Sequence, residues 1–348
     1  ALTNVNDAEA SRAAYEKANA LDPAHVPAHI NLGNNLMTLE PKDFAEAEKC
    51  FLRAIELTPN EPNPYDLLGD VHRAQGNLEA AYDDYSKAAE LDPDLGSAYQ
   101  QRAHVSSFLG NYDDARADYT RSIELEDARG STAGGFFLPY RAFVNLHQGD
   151  FDAAIAELQE IVDSADEAYP TVAPDVKANA LGNIVLIATE LGNSEAASAA
   201  IADSASVLRQ QADAVGSDDL RDAAEATISY MTGLLAARLG DAEGAEAAAV
   251  AFEGHVASST SPRKLERMHE IRGMSAWYQG DFDAAVDHLS KGNHLANMYT
   301  KYYLARAHEE AGNAEEAARL YGELAVYNFN GPGYAMFRKD ILERAASG

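Results

Sequence analysis

Gly76-Asn77-Leu78-Glu79-Ala80-Ala81 decides the fold, because close copies of it recur down the rest of the chain. They read Gly110-Asn111-Tyr112-Asp113-Asp114-Ala115, Gly149-Asp150-Phe151-Asp152-Ala153-Ala154, Gly192-Asn193-Ser194-Glu195-Ala196-Ala197, Gly240-Asp241-Ala242-Glu243-Gly244-Ala245, Gly280-Asp281-Phe282-Asp283-Ala284-Ala285 and Gly312-Asn313-Ala314-Glu315-Glu316-Ala317. Glycine takes the left-handed angles that end a helix, the following Asn or Asp suits a turn or cap, and the next acids favour a helix N-terminus. Each copy therefore reads as helix, tight turn, helix. The sixth residue, Ala81 or Ala115, lets two helices approach closely. A repeated helical hairpin is the unit of a solenoid.

The whole-chain properties fit that reading. A chain of 348 residues could form two ordinary domains, but its internal repeats favour one elongated array, and its hydrophobic fraction of 46% supplies a continuous core. The 56 acids against 27 bases leave a net charge of -29, which argues against nucleic acid and anionic membrane surfaces as partners. So much acid reads either as a solvated, repulsive surface or as recruitment of a basic partner. Cys50 is the single cysteine, so no internal disulfide forms; beside Phe51 it reads as a small buried apolar residue. No apolar run approaches the roughly 18 residues of a membrane helix, so membrane insertion is not expected. A chain beginning at Ala1 fits a processed export precursor or a trimmed chain equally; the compartment stays open, with an exported protein, periplasmic or extracellular, favoured over a cytoplasmic one.

Taken in order, residues 1–25 read as an unpaired half-repeat helix: Tyr15, Ala18 and Pro23 match Phe51, Ala54 and Pro59, then Tyr85, Ala88 and Pro93, which close the next hairpins. The spacing from Tyr65 through Leu68-Gly69, Gly76, Ala81, Tyr85 and Ala88 to Pro93 resembles the tetratricopeptide repeat, a hairpin of two antiparallel helices. Gly76 to Gly110, Ala81 to Ala115 and Tyr85 to Tyr119 keep its 34-residue step. The resemblance implies an all-α, right-handed superhelical solenoid. It would hold about eight hairpins, the unpaired N-terminal helix and a C-terminal capping helix.

Regular hairpins are expected over 26–127, with Leu39-Glu40-Pro41-Lys42-Asp43-Phe44 lengthening the first turn. A Gly-rich insertion or hinge falls at 128–135, divergent hairpins occupy 136–329, and the capping helix occupies 330–348. Beyond residue 110 the turn glycines are spaced 39, 43, 48, 40 and 32 apart. The extra residues fall in 130–135, 169–174, 215–219 and 258–262, which read as loops or extended helix ends.

Enzyme motifs are absent: there is no phosphate-binding Gly-rich loop with Lys-Ser/Thr, no Gly-x-Ser-x-Gly and no His-Glu-x-x-His. The pairs His25/His29 and His288/His294 lack carboxylates at ligand spacing, so neither a metal nor a cofactor is expected. Acid pairs such as Asp83-Asp84 and Asp113-Asp114 sit near helix starts, where dipole complementation accounts for them.

Function then falls to the inner surface, which the resemblance assigns to the first helix of each hairpin. Its implied inward positions give Asn34, then Asp66, Asp70 and Arg73, then Gln100 and His104: a polar groove. Clamping of a C-terminal carboxylate, the best-known use of such grooves, needs Lys, Asn, Asn, Lys and Arg where this chain has Ile30, Asn34, Leu67, Ser97 and Gln101. In the middle the same positions give Phe136, Pro139, Phe143 and Leu146, Leu186, then Tyr230 and Leu234. That apolar wall is either core, if the solenoid closes on itself, or a groove for an apolar peptide, a lipid-like ligand or a neighbouring subunit. Further on, Trp277 stands with Tyr299, Tyr302 and Arg306, a combination suited to recognition anchors or to packing between hairpins. The basic run Arg263-Lys264, with Arg267 and Arg272, stands out on an acidic chain and suits an acidic patch, including one on another copy. The expected function is a non-enzymatic scaffold that binds a protein or peptide on its concave surface. Alternatives are head-to-tail self-assembly through the N-terminal helix, and an accessory subunit of an enzyme or secretion complex.

Overall fold

In the computed structural model, the backbone is described for residues 2–39 and 41–347, and side chains from Glu9 onward. The described residues form helices and no strands, as an all-α solenoid of helical hairpins. They group into two compact units, Ala1–Ser131 with Val326–Asn328, and Thr132–Ala325 with Phe329–Gly348.

In the first unit α1 (Leu2–Leu21) packs on α2 and on no other described helix. Three hairpins follow: α2 (Val26–Thr38) with α3 (Phe44–Leu57), α4 (Pro62–Ala74) with α5 (Leu78–Leu91), and α6 (Gly96–Leu109) with α7 (Tyr112–Ala128). The second unit holds five more: α8 (Ala133–Gln148) with α9 (Phe151–Ala168), α10 (Ala173–Leu191) with α11 (Ser194–Val215), α12 (Asp218–Arg238) with α13 (Ala242–His255), α14 (Glu266–Gln279) with α15 (Phe282–Leu289), and α16 (Met298–Glu310) with α17 (Ala314–Ala325). A last helix, α18, spans Pro332–Ser347.

The repeated stretch is built from backbone geometry. All seven of its glycines have positive φ, between 70° and 83°, and Gly76 and Gly110 have open space where a Cβ would stand. It is the left-handed angle, not crowding, that demands glycine there. In every copy the next residue's N–H returns to the carbonyl five residues earlier, as in Asn77 to His72 (2.8 Å) and Asp281 to Ala276 (3.0 Å), which satisfies an otherwise orphaned helix-end carbonyl. Asp150, Asn193, Asp241 and Asp281 then cap the following helix with their side chains; Asn77 and Asn111 make no such bond.

Several hairpins are closed by a large residue nine positions after the turn glycine, pressed on a small one in the first helix. Tyr85 lies under Gly69, where a Cβ would sit 2.6 Å from its ring; Leu289 lies likewise under Gly273, also at 2.6 Å. Phe51 does the same beneath Gly33 across the lengthened turn.

The stretch from 130 to 135 is not all loop. Ala133, Gly134 and Gly135 form the first turn of α8, and both glycines are buried; Tyr169 and Val176 press against Gly135, where a Cβ would meet Val176 at 2.8 Å. Most of the extra length at 169–174 and 215–219 goes into longer helices: α10, α11 and α12 run to 19, 22 and 21 residues. Residues 256–265 do form a loop, between α13 and α14.

Helix α18 does more than close an open end. It packs on α8, α10 and α16 as well as on α17, and Ala335 joins the core of Phe143, Leu146, Val176 and Leu181, with Met336 against it. The apolar wall expected over α8 is therefore core, covered by the chain's own last helix. Pro139 and Phe143 are buried there, while Phe136 stays exposed.

Candidate functional site

In the first unit α2, α4 and α6 lie side by side, so the first helices of the hairpins share one wall. Three of the expected groove residues turn out to serve the fold. The Tyr85 hydroxyl donates to Asp70 (2.8 Å), and Arg73 donates to both Asp70 (3.0 Å) and the same hydroxyl (3.2 Å). One repeat on, His104 Nδ1 pairs with the Tyr119 hydroxyl at 2.6 Å, and both residues are buried. Asp70 and His104 are one 34-residue step apart and do the same work, satisfying a buried phenol that would otherwise lose its hydrogen bond to water. Arg73 also donates to the carbonyl of Asn328 (2.6 Å), in the short extended segment 326–328 that belongs to this unit.

The rest of that wall is less committed. Asn34 and Gln100 are half-buried, and neither side chain hydrogen-bonds among the described residues. Asp66 receives Ser97 Oγ on Oδ2 (3.2 Å), while its buried Oδ1 has no partner. Burial, followed by the nearby charge of Asp70, pushes the Asp66 carboxyl up to about 6.

In the second unit the aromatic residues form a closed cluster. Tyr299 and Tyr303 both donate to Glu190, at 2.9 and 2.6 Å, and the Tyr278 and Tyr303 hydroxyls are 3.1 Å apart. Tyr302 stacks on Phe337 of α18 (4.1 Å between centroids, 10° between planes), donates to Asp340 (2.7 Å) and accepts from Arg306 (3.1 Å). Tyr299 and Tyr302 are each only 4% exposed, so they anchor α16 to α10 and α18. Trp277 is half-buried, 5.3 Å from the Phe282 ring and 5.6 Å from Tyr303, with Arg306 5.2 Å above it. It packs between hairpins and keeps one part of its ring open.

Tyr230 stands apart from that cluster. Its hydroxyl donates to Glu270 (2.6 Å), which the Asn293 N–H also reaches (3.0 Å), and Arg267 lies 5.0 Å over its ring. Glu270 is 2% exposed, and burial raises its carboxyl above the ordinary range. Nothing in the sequence pointed to Glu270 or Glu190 as hubs, because their tyrosine partners are 40 to 113 residues away. The Arg102–Asp118 pair, bidentate at 2.7 and 2.6 Å, also went unread, although it joins the two helices of one hairpin.

Among the described residues no group of three or more His, Cys, Asp or Glu is placed to hold a metal, and no helix is long and apolar enough to cross a membrane. The geometry thus defines an all-α solenoid of helical hairpins. Models of the tetratricopeptide repeat match residues 26–61, 62–95, 96–129 and 272–335. The chain belongs to the tetratricopeptide repeat family.

No curated protein matches the sequence. Similar solved structures include a tetratricopeptide repeat protein from Parabacteroides merdae (17% identity, 81% of this chain and 98% of that one, TM-score 0.48). PilW, a type IV pilus biogenesis factor, shows 13% identity over 69% of this chain and 96% of its own, with a TM-score of 0.44. YrrB, described as having an unusual peptide-binding site, shows 21% identity over 49% and 82%, with a TM-score of 0.37. At these scores nothing of those proteins' roles carries over. Proteins of this fold typically mediate protein–protein interactions and are generally non-enzymatic.

Proposed function

We propose that the protein is a non-enzymatic interaction scaffold that holds a segment of a partner protein on the inner wall of α2, α4 and α6. The observation that carries this reading is the unspent hydrogen-bonding capacity of Asn34, Asp66 and Gln100 on three adjacent helices, beside Asp70 and His104, whose capacity is already used. A row of spaced polar groups suits a chain that presents its own donors at regular intervals. Asp66 calls for a donor or a cation, which also accords with an acidic host.

Full-length protein panned against displayed random peptides tests this. The enriched peptides should bind the Asp66→Asn/Gln100→Ala variant at least tenfold more weakly. Failure to enrich any sequence, or equal affinity for the variant, would sink the reading.

A further inference from the structure

A polar pocket in the second unit is independent of the wall of α2, α4 and α6. Tyr230 of α12, Phe252 of α13, Glu266, Arg267 and Glu270 of α14 and the loops carrying Arg263, Lys264, Asn293 and Asn297 enclose a pocket of about 250 Å³.

Its hydrogen-bonding balance is one-sided. The carboxylate oxygens are already engaged: Glu266 takes both forks of Arg263 (2.6 and 3.0 Å), and Glu270 takes the Tyr230 hydroxyl and the Asn293 N–H. Asn293 Oδ1 accepts from Arg263 (2.6 Å), and Asn297 Oδ1 caps Tyr299 N–H (3.1 Å). The donors are not used up. Arg267, an exposed residue, makes no hydrogen bond or ion pair among the described residues; its face lies on the Tyr230 ring, within electrostatic reach of Glu270, and its N–H edge is open. Lys264 spends one donor on the Ala257 carbonyl (3.0 Å), and among the described residues no bond is made by the side-chain amide N–H groups of Asn293 and Asn297. What the pocket lacks is an acceptor.

Three cations face two carboxylates there, leaving a single positive charge. One carboxylate neutralises that charge, whereas a phosphate dianion exceeds it. The surroundings select further, since a chain of net charge -29 repels acidic ligands everywhere except where its bases gather. We propose that this pocket binds a carboxylate side chain of an acidic peptide segment, with Arg267 as the principal donor and Lys264 and the Asn293 and Asn297 amides completing the cradle.

Calorimetric titration of the full-length protein with N-acetyl-tetraglutamate, its tetraglutamine counterpart and inorganic phosphate tests the proposal. Tetraglutamate should bind saturably at one site and tetraglutamine should not. Arg267→Ala should weaken binding at least tenfold, and Arg267→Lys should fall between, because it keeps the charge and loses the planar fork. Arg209→Ala, which removes an equal charge from α11 where Arg209 pairs with Glu225 (2.6 Å), should leave the affinity unchanged. Should Arg267→Ala fail to fold, the lysine variant decides alone. Equal losses in the Arg209 and Arg267 variants, or absence of saturable binding, would overturn the site; tighter binding of phosphate than of the peptide would overturn the carboxylate assignment.

Discussion

The hairpins α4/α5 and α6/α7 and the hairpin α8/α9 solve the same packing problem with different chemistry. In the first two, Tyr85 and Tyr119 fill the space beneath the first helix, and each brings a hydroxyl that Asp70 or His104 must satisfy. In α8/α9 the equivalent place is taken by Leu158, fully buried with nothing polar to satisfy. A phenol at the closing position commits an inward-facing residue of the preceding helix; an aliphatic one leaves that residue to the core or to a ligand. The choice of closing residue therefore decides which inner positions remain available for binding.

The strongest way to break this comparison is to empty the closing positions. Tyr85→Ala and Leu158→Ala should each destabilise by about 3–5 and 2–5 kcal/mol in urea unfolding, because both leave cavities in a core closed on all sides. Equal behaviour on truncation but not on hydroxyl removal is what the account requires. Gly69→Ala comes next, at about 1–3 kcal/mol, since its methyl would overlap the Tyr85 ring; Gly182→Ala, in α10 with open space around it, should instead stabilise by about 0.5–1 kcal/mol. If the two glycine variants behave alike, close packing under the first helix is not what holds the hairpin.

Tyr85→Phe should cost only about 1 kcal/mol, because Arg73 still occupies Asp70. Asp66 gives a pH-dependent effect. Its carboxyl is raised in the fold, so both states hold the proton below about pH 4, the unfolded chain releases it first as pH rises, and stability falls until about pH 6. Asp66→Asn should remove that slope, raising stability at pH 7 and leaving it unchanged at pH 3. His147 acts at the other side: burial lowers its ring to about 4, so it contributes stability above pH 6.5 that is lost as pH falls toward 4.

The fold was legible in the sequence wherever one residue type is forced by backbone geometry. A left-handed angle admits little but glycine, so Gly76 and its copies mark the turn in seven of the eight hairpins, and Ala81 and its counterparts are buried as their spacing implied. The inner surface was less legible because register tells which way a side chain points and not what it meets. Asp70 and His104 sit at inward positions, yet the tyrosine fifteen residues later in the same hairpin was the available signal that both were engaged. The register leaves Phe143 open between core and groove, and Tyr299 and Tyr302 between anchors and packing; the return of α18 onto α8, α10 and α16 helps to bury all three. Contacts made over such sequence distances leave no local pattern to read.

The central claim is that residues holding the hairpins and residues free to bind are distinct sets on one wall. Urea midpoint and affinity for an enriched peptide, measured together on Asp66→Asn/Gln100→Ala and on Tyr85→Phe, test it most directly. The account predicts that the first variant loses affinity and keeps or raises its midpoint, while the second loses midpoint and keeps affinity. A fall of both quantities together in both variants would contradict it.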